Sequence, residues 1–245
     1  MKPQMDNLKV SIEAKDAPMN ALPFTAAMLN PEAGNHPVPD NDAELQAALR
    51  SAERCMEEYP YFDERYGERG RAFAKSDAAW LATLPSLTRT QLISQVEWLG
   101  RVLGNRGMPR ITLERQLDLL HHELVAAVPE KSEAYGGLRE AAESLRRERL
   151  GLIPLSPFGE LARAFHAAAD PERHEKLRGT GSLLVSAVCD EACGITEAVG
   201  SLISWLADPG RFSGLWIAEV NRTVEAARKL AGRLKDTTIM NGNRS

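Results

Sequence analysis

Cysteine is scarce in this chain, three in 245 residues. So sparse and odd a set builds no disulfide framework, and a reducing, cytoplasmic setting is the expectation. Charge of one sign is lacking too. Thirty Lys+Arg stand against 34 Asp+Glu, a formal net charge of -4, which excludes a protein that holds nucleic acid by bulk positive charge. Continuous apolar runs are missing where they would matter. Residues 1–9 hold no stretch of secretory-signal length. The most apolar region, residues 182–207, carries Asp190, Glu191 and Glu197 in its middle. Each such carboxylate costs about 2.5–3.5 kcal/mol in hydrocarbon, so no transmembrane segment is expected. Sustained period-two alternation is absent after residue 42, which leaves no material for a sheet. Catalytic spellings are lacking as well: no Gly-x-Ser-x-Gly, no Gly-Lys-Ser/Thr behind a glycine run, no complete dinucleotide loop.

What is present reads as helix. Residues 1–41 are broken by prolines such as Pro3, Pro18, Pro23, Pro31 and Pro37, and are expected to form an extended or disordered arm. The alternation at residues 8–13 makes one strand at most. From residue 42 apolar side chains recur at three- and four-residue steps, as in Leu45, Ala48, Leu49, Ala52 and Met56. Pro60 should end that first helix. A second, weakened by Gly67 and Gly70, starts near Tyr61, and Ser76-Asp77 reads as the cap of a third running to Leu84. Further helices are expected from Thr88, from a cap at Thr112 to residue 128, over residues 132–150, and from a cap at Ser156 with Pro157 in the first turn. One long helix over residues 182–207 and a last one over residues 212–234 complete the chain. The fold class is all-α: a bundle of about seven or eight helices, with segments at 42–150 and 151–236 and a frayed tail at 237–245. The four tryptophans, Trp80, Trp98, Trp205 and Trp216, all read as core.

Two constellations could carry chemistry. Asp118, His121 and His122 return to neighbouring rows of one helix, and imidazoles beside a carboxylate can ligate a transition metal or a haem iron. The plainer alternative is a helix end where histidines complement the dipole and Asp118 pairs with a neighbour. On the 182–207 helix, Ser186, Asp190, Cys193, Glu197, Ser201 and Ser204 form a polar stripe opposite an apolar one. This stripe either faces solvent or, aimed at another helix, holds a cation or polar ligand. His166, flanked by Phe165 and Ala167, reads as a satisfied core histidine or a further ligand-binding group. The loops Gly67-Glu68-Arg69-Gly70 and Gly104-Asn105-Arg106-Gly107 have arginines nearby but lack the strands that a nucleic-acid-binding loop of this spelling requires.

The leading expectation is a non-catalytic helical protein that binds a partner protein or a small ligand in a regulatory role, with homo-oligomer formation open. A metal- or haem-dependent sensor or oxidase, combining His121 or His122 with carboxylates of the 182–207 helix, is the alternative. A metal-free helical enzyme with Asp190 or Glu197 as base is the third.

Overall fold

The computed structural model describes residues 24–169 and 175–242, with side chains to residue 232. Among the described residues the chain forms ten helices and no strand beyond an isolated bridge between Thr25 and Pro37. In order they are α1 (Ala26–Leu29), α2 (Asp42–Glu58), α3 (Tyr61–Leu81), α4 (Arg89–Gly104), α5 (Arg110–Ala127), α6 (Ser132–Leu152), α7 (Leu155–Ala168), α8 (Thr180–Ala192), α9 (Ala198–Leu206) and α10 (Gly214–Gly242). The fold is all-α. No helix among the described residues is long and apolar enough to cross a membrane.

Local chemistry explains several boundaries. The Asn41 side chain accepts from the N–H groups of Ala43 and Glu44, two donors with no partner inside α2. Thr88 and Gln91 cap α4 reciprocally. Other boundaries correct the sequence reading. Ser76 starts nothing: its hydroxyl donates to the Phe73 carbonyl within α3, which continues to Leu81. Thr112 likewise donates to the Pro109 carbonyl, and α5 begins two residues earlier at Arg110. Ser156 donates to Glu160, inside a helix that already begins at Leu155. A hydroxyl bonding back three residues is satisfied within a helix as well as at its start, so serine and threonine mark ends ambiguously.

The largest correction concerns residues 182–207. The chain leaves helix after Ala192, and Gly194 takes a φ of +94°, a conformation open to glycine without strain. Two shorter helices, α8 and α9, result. This break and the one-turn α1 raise the count above seven or eight. The last helix extends to Gly242, past the expected end at 234. Residues 24–41 lie on the body, with Ala26 and Val38 buried against Leu45 and Ala79. The rest of the expected arm, its strand included, falls outside the described residues.

Two large apolar clusters organise the packing. The first gathers Ala47, Ala48, Ala52, Leu81, Leu117, Leu120, Leu138, Leu145 and their neighbours from α2 to α6, with Tyr135 as its one buried ring. Within it α5 lies between α2 and α6. The second gathers Phe158, Phe165, Phe212, Trp216 and the aliphatic residues of α7 to α10 around α8. Helix α8 is apolar on nearly every side, and Leu183 through Asp190 are all buried, as its central position requires. Trp216 lies 5.1 Å from Phe165 edge-on and 5.2 Å from Phe212 in a stack, while its indole N–H donates to the Leu206 carbonyl at 2.9 Å. Trp98, by contrast, is 52% exposed, and Leu215 in the first turn of α10 is 55% exposed. Trp98 corrects the expectation of a core position; it only edges onto Trp80 at the rim.

Helix α3 belongs to both clusters. Gly67 has φ +54° and ψ -146°, values that a side-chain-bearing residue occupies only under strain, and the helix kinks there. Tyr61, before the kink, is fully buried in the second cluster; Ala78 and Leu81, after it, are buried in the first.

Candidate functional site

The polar stripe expected on residues 182–207 is divided by the break at Gly194. Asp190 is fully buried and accepts from the backbone N–H and the Nε of Arg110, both at 2.8 Å. Cys193 caps α8 and is exposed, and Glu197 is exposed at the start of α9. These three candidates therefore converge on nothing. Asp190 belongs instead to a charged seam that fastens α8 to α5 and α6. Arg110 also donates to Glu148 at 2.8 Å, and Glu114 takes both donors of Arg149 at 2.8 Å each. The Arg149 guanidinium in turn lies 4.7 Å from the Phe158 ring centroid, at the edge of the second cluster. Burial opposes the Arg110 charge, but Asp190 and Glu148 outweigh it and hold the guanidinium above its ordinary pKa. Such a pair is costly to break and contributes more to register than to net stability.

His166 accepts from the Gly181 N–H at 3.4 Å where α7 crosses α8. It is half-buried, with its ring edge-on to Phe165 at 5.4 Å. Asp118 is engaged by Arg146 at 2.5 Å. His122 is exposed, and the Glu123 beside it is taken by Arg50 and Arg54. His121 is half-buried, and burial, reinforced by Arg139, lowers its pKa. Asp190 contacts the N-terminal residue of α5 while His121 lies eleven residues further on, about 16 Å along the axis, so the two rows do not meet. Among the described residues no group of three or more His, Cys, Asp or Glu side chains is placed to hold a metal ion.

The feature with the geometry of a site is one the sequence reading missed. Helices α2, α3, α4 and α5 line an open pocket with a cavity volume of about 740 Å³, within the usual range for small-molecule sites. Its wall is mostly apolar, with Ala52, Met56, Phe62, Phe73, Leu99 and Leu103 among its members. Five charged side chains also line it: Glu32, Arg65, Arg69, Asp77 and Arg106. Both halves of α3 contribute, with Tyr66 before the Gly67 kink and Arg69 after it.

Two of those charges, Glu32 and Arg69, match one another, and a third, Arg65, is held by neutral oxygens. Arg69 grips Glu32 with contacts of 2.7 and 3.1 Å. Arg65 donates to the Tyr61 hydroxyl at 2.5 Å and to the Ser201 carbonyl at 2.9 Å, reaching from the cavity to α9. Asp77 is half-buried in the apolar wall of α3. Its carboxyl has no hydrogen bond or ion pair among the described residues, and burial pushes its pKa up to about 6 despite the opposing pull of Arg106. Arg106 is exposed on the 104–109 loop, whose carbonyls at Arg106 and Gly107 accept from the hydroxyls of Tyr66 and Tyr61 at 2.6 and 2.8 Å. Cys55, also in the wall, donates to the Thr112 carbonyl, and burial raises its thiol to about 12, which keeps it protonated.

One signal for this site was present in the sequence. Phe73, Asp77 and Leu81 are spaced four apart, which places a carboxylate on an apolar stripe. Reading Ser76-Asp77 as a helix start hid it. Comparison with protein-family models, with curated proteins and with solved structures finds no match to this chain.

Proposed function

We propose that this chain is a non-catalytic regulatory protein that binds a small, largely apolar ligand in the cavity between α2, α3, α4 and α5. The observation that carries this reading is an apolar volume of about 740 Å³ with an unmatched carboxyl, Asp77, in its wall. Pockets of this composition and size hold drug-sized molecules, with a few polar groups fixing orientation. A non-catalytic role fits the lining chemistry: the one thiol is held protonated, and no histidine contributes to the wall. A regulatory role is supported by Arg65, which lines the cavity and bonds across to Ser201, so a ligand that draws on this guanidinium acts on α9 as well. The buried or unpaired state of all three thiols suits the cytoplasm.

The test is to fill the space. Ala74 lines the cavity and is half-buried, so Ala74→Phe occupies it with little need to move the backbone. Wild-type protein is expected to bind a neutral solvatochromic dye such as Nile red, and Ala74→Phe with an unchanged circular dichroism spectrum is expected to lose at least about tenfold in affinity. Dye binding that is absent from the wild type, or equal in the two proteins, overturns the reading.

A further inference from the structure

The five charges lining the cavity sort by elimination. Glu32 and Arg69 satisfy one another, and Arg65 is held in place by two neutral oxygens, the Tyr61 hydroxyl and the Ser201 carbonyl. Asp77 and Arg106 are left, of opposite sign and near enough for Arg106 to act on the carboxyl, yet without a hydrogen bond or ion pair to join them. A ligand that carried a single charge would answer one of these and oppose the other. An anion drawn by Arg106 meets a carboxylate, and a cation drawn by Asp77 meets a guanidinium. The first leaves the half-buried Asp77 carboxylate without a partner, and the second leaves the exposed Arg106 guanidinium to water alone. A head with both signs answers both.

We infer that the ligand is an α-amino acid with a large apolar side chain, its ammonium on Asp77 and its carboxylate on Arg106. This inference rests on the cavity being a ligand site, as proposed above. The side chain lies among Phe62, Phe73, Leu99 and Leu103. The guanidinium offers parallel N–H donors suited to a carboxylate, and the carboxyl of Asp77 accepts from an ammonium. Binding is non-covalent and needs no other reactant.

Three matched probes decide it: L-biphenylalanine, the biphenyl-propanoate that lacks its amine, and the biphenyl-ethylamine that lacks its carboxylate. Isothermal titration of the full chain should show each single-charge analogue weaker than the zwitterion by about tenfold or more, the size of one lost charge-assisted hydrogen bond. Asp77→Asn should bring the zwitterion and the propanoate to within a few-fold of each other, and Arg106→Gln should do so for the zwitterion and the amine. A single-charge analogue that binds wild-type protein as well as the zwitterion, or a preference that survives both substitutions, overturns the inference. So does the failure of all three probes to bind while Nile red still enters, which leaves the cavity reading standing. Exclusion of the dye as well fells both.

Discussion

The two clusters of this protein are built by the same means, helix on helix, and differ in what fills them. Around α8 the space is taken by rings: Tyr61, Phe158, Phe165, Phe212 and Trp216 are all buried. Around α5 it is taken by leucine, valine and alanine, with Tyr135 the single buried ring. Small side chains at Ala52, Ala74 and Ala78, with Gly70 beside them, leave a volume that larger neighbours would have closed. One cluster is therefore packed for cohesion, and the other keeps an opening next to two unmatched charges. An opening of that kind forfeits dispersion contacts along its lining.

Truncating a ring in each cluster should separate them most widely. Trp216→Ala is expected to cost about 3–5 kcal/mol in urea denaturation, since the ring is fully buried between Phe165 and Phe212. Phe73→Ala should cost well under half of that, because the ring is half-buried and already borders open volume. Equal losses would mean that the cavity is closed in solution. The next effect in size concerns the helix the clusters share. Gly67→Ala should cost about 1–3 kcal/mol of denaturation free energy. A methyl group there meets no atom within 4 Å, so backbone strain alone is responsible. A neutral result would mean that α3 runs straight.

The last effect depends on pH. The Asp77 carboxyl is raised from 3.8 to about 6 on folding, so the native state holds its proton more tightly than the unfolded chain does. Its ionisation therefore destabilises the fold fully above pH ~6, and that penalty fades as pH falls toward about 4. Asp77→Asn lacks the penalty. Its urea midpoint should exceed that of the wild type above neutrality, and the difference should shrink as the pH is lowered through this window. A difference that grows on acidification would show that Asp77 is paired rather than isolated.

Much of the fold was legible because helices announce themselves locally. Periodicity found α2, α4, α5 and α6, and the side-chain oxygen of Thr88 marked a start because it satisfies a backbone donor that the helix cannot. Glycine misled, because its permissiveness does not say how it will be used. At Gly67 the helix bends and continues; at Gly194 it stops. The expected site on residues 182–207 depended on that second outcome, and the partners of Asp190 and Asp118 turned out to be arginines on other helices. The cavity was not legible. It is a deficit of volume summed over four helices, and no local pattern records such a sum. Asp77 on an apolar stripe was its one trace.

The double allegiance of α3 has a consequence for how this chain can be divided. The turn between α6 and α7 looks like the natural place to cut, since each side owns a cluster. A fragment that began there would leave behind the phenol of Tyr61, which docks edge-on at 5.4 Å to Trp205. The severed piece would carry a socket without its plug, and adding back the first half, rather than any salt or cosolvent, would be what closes it.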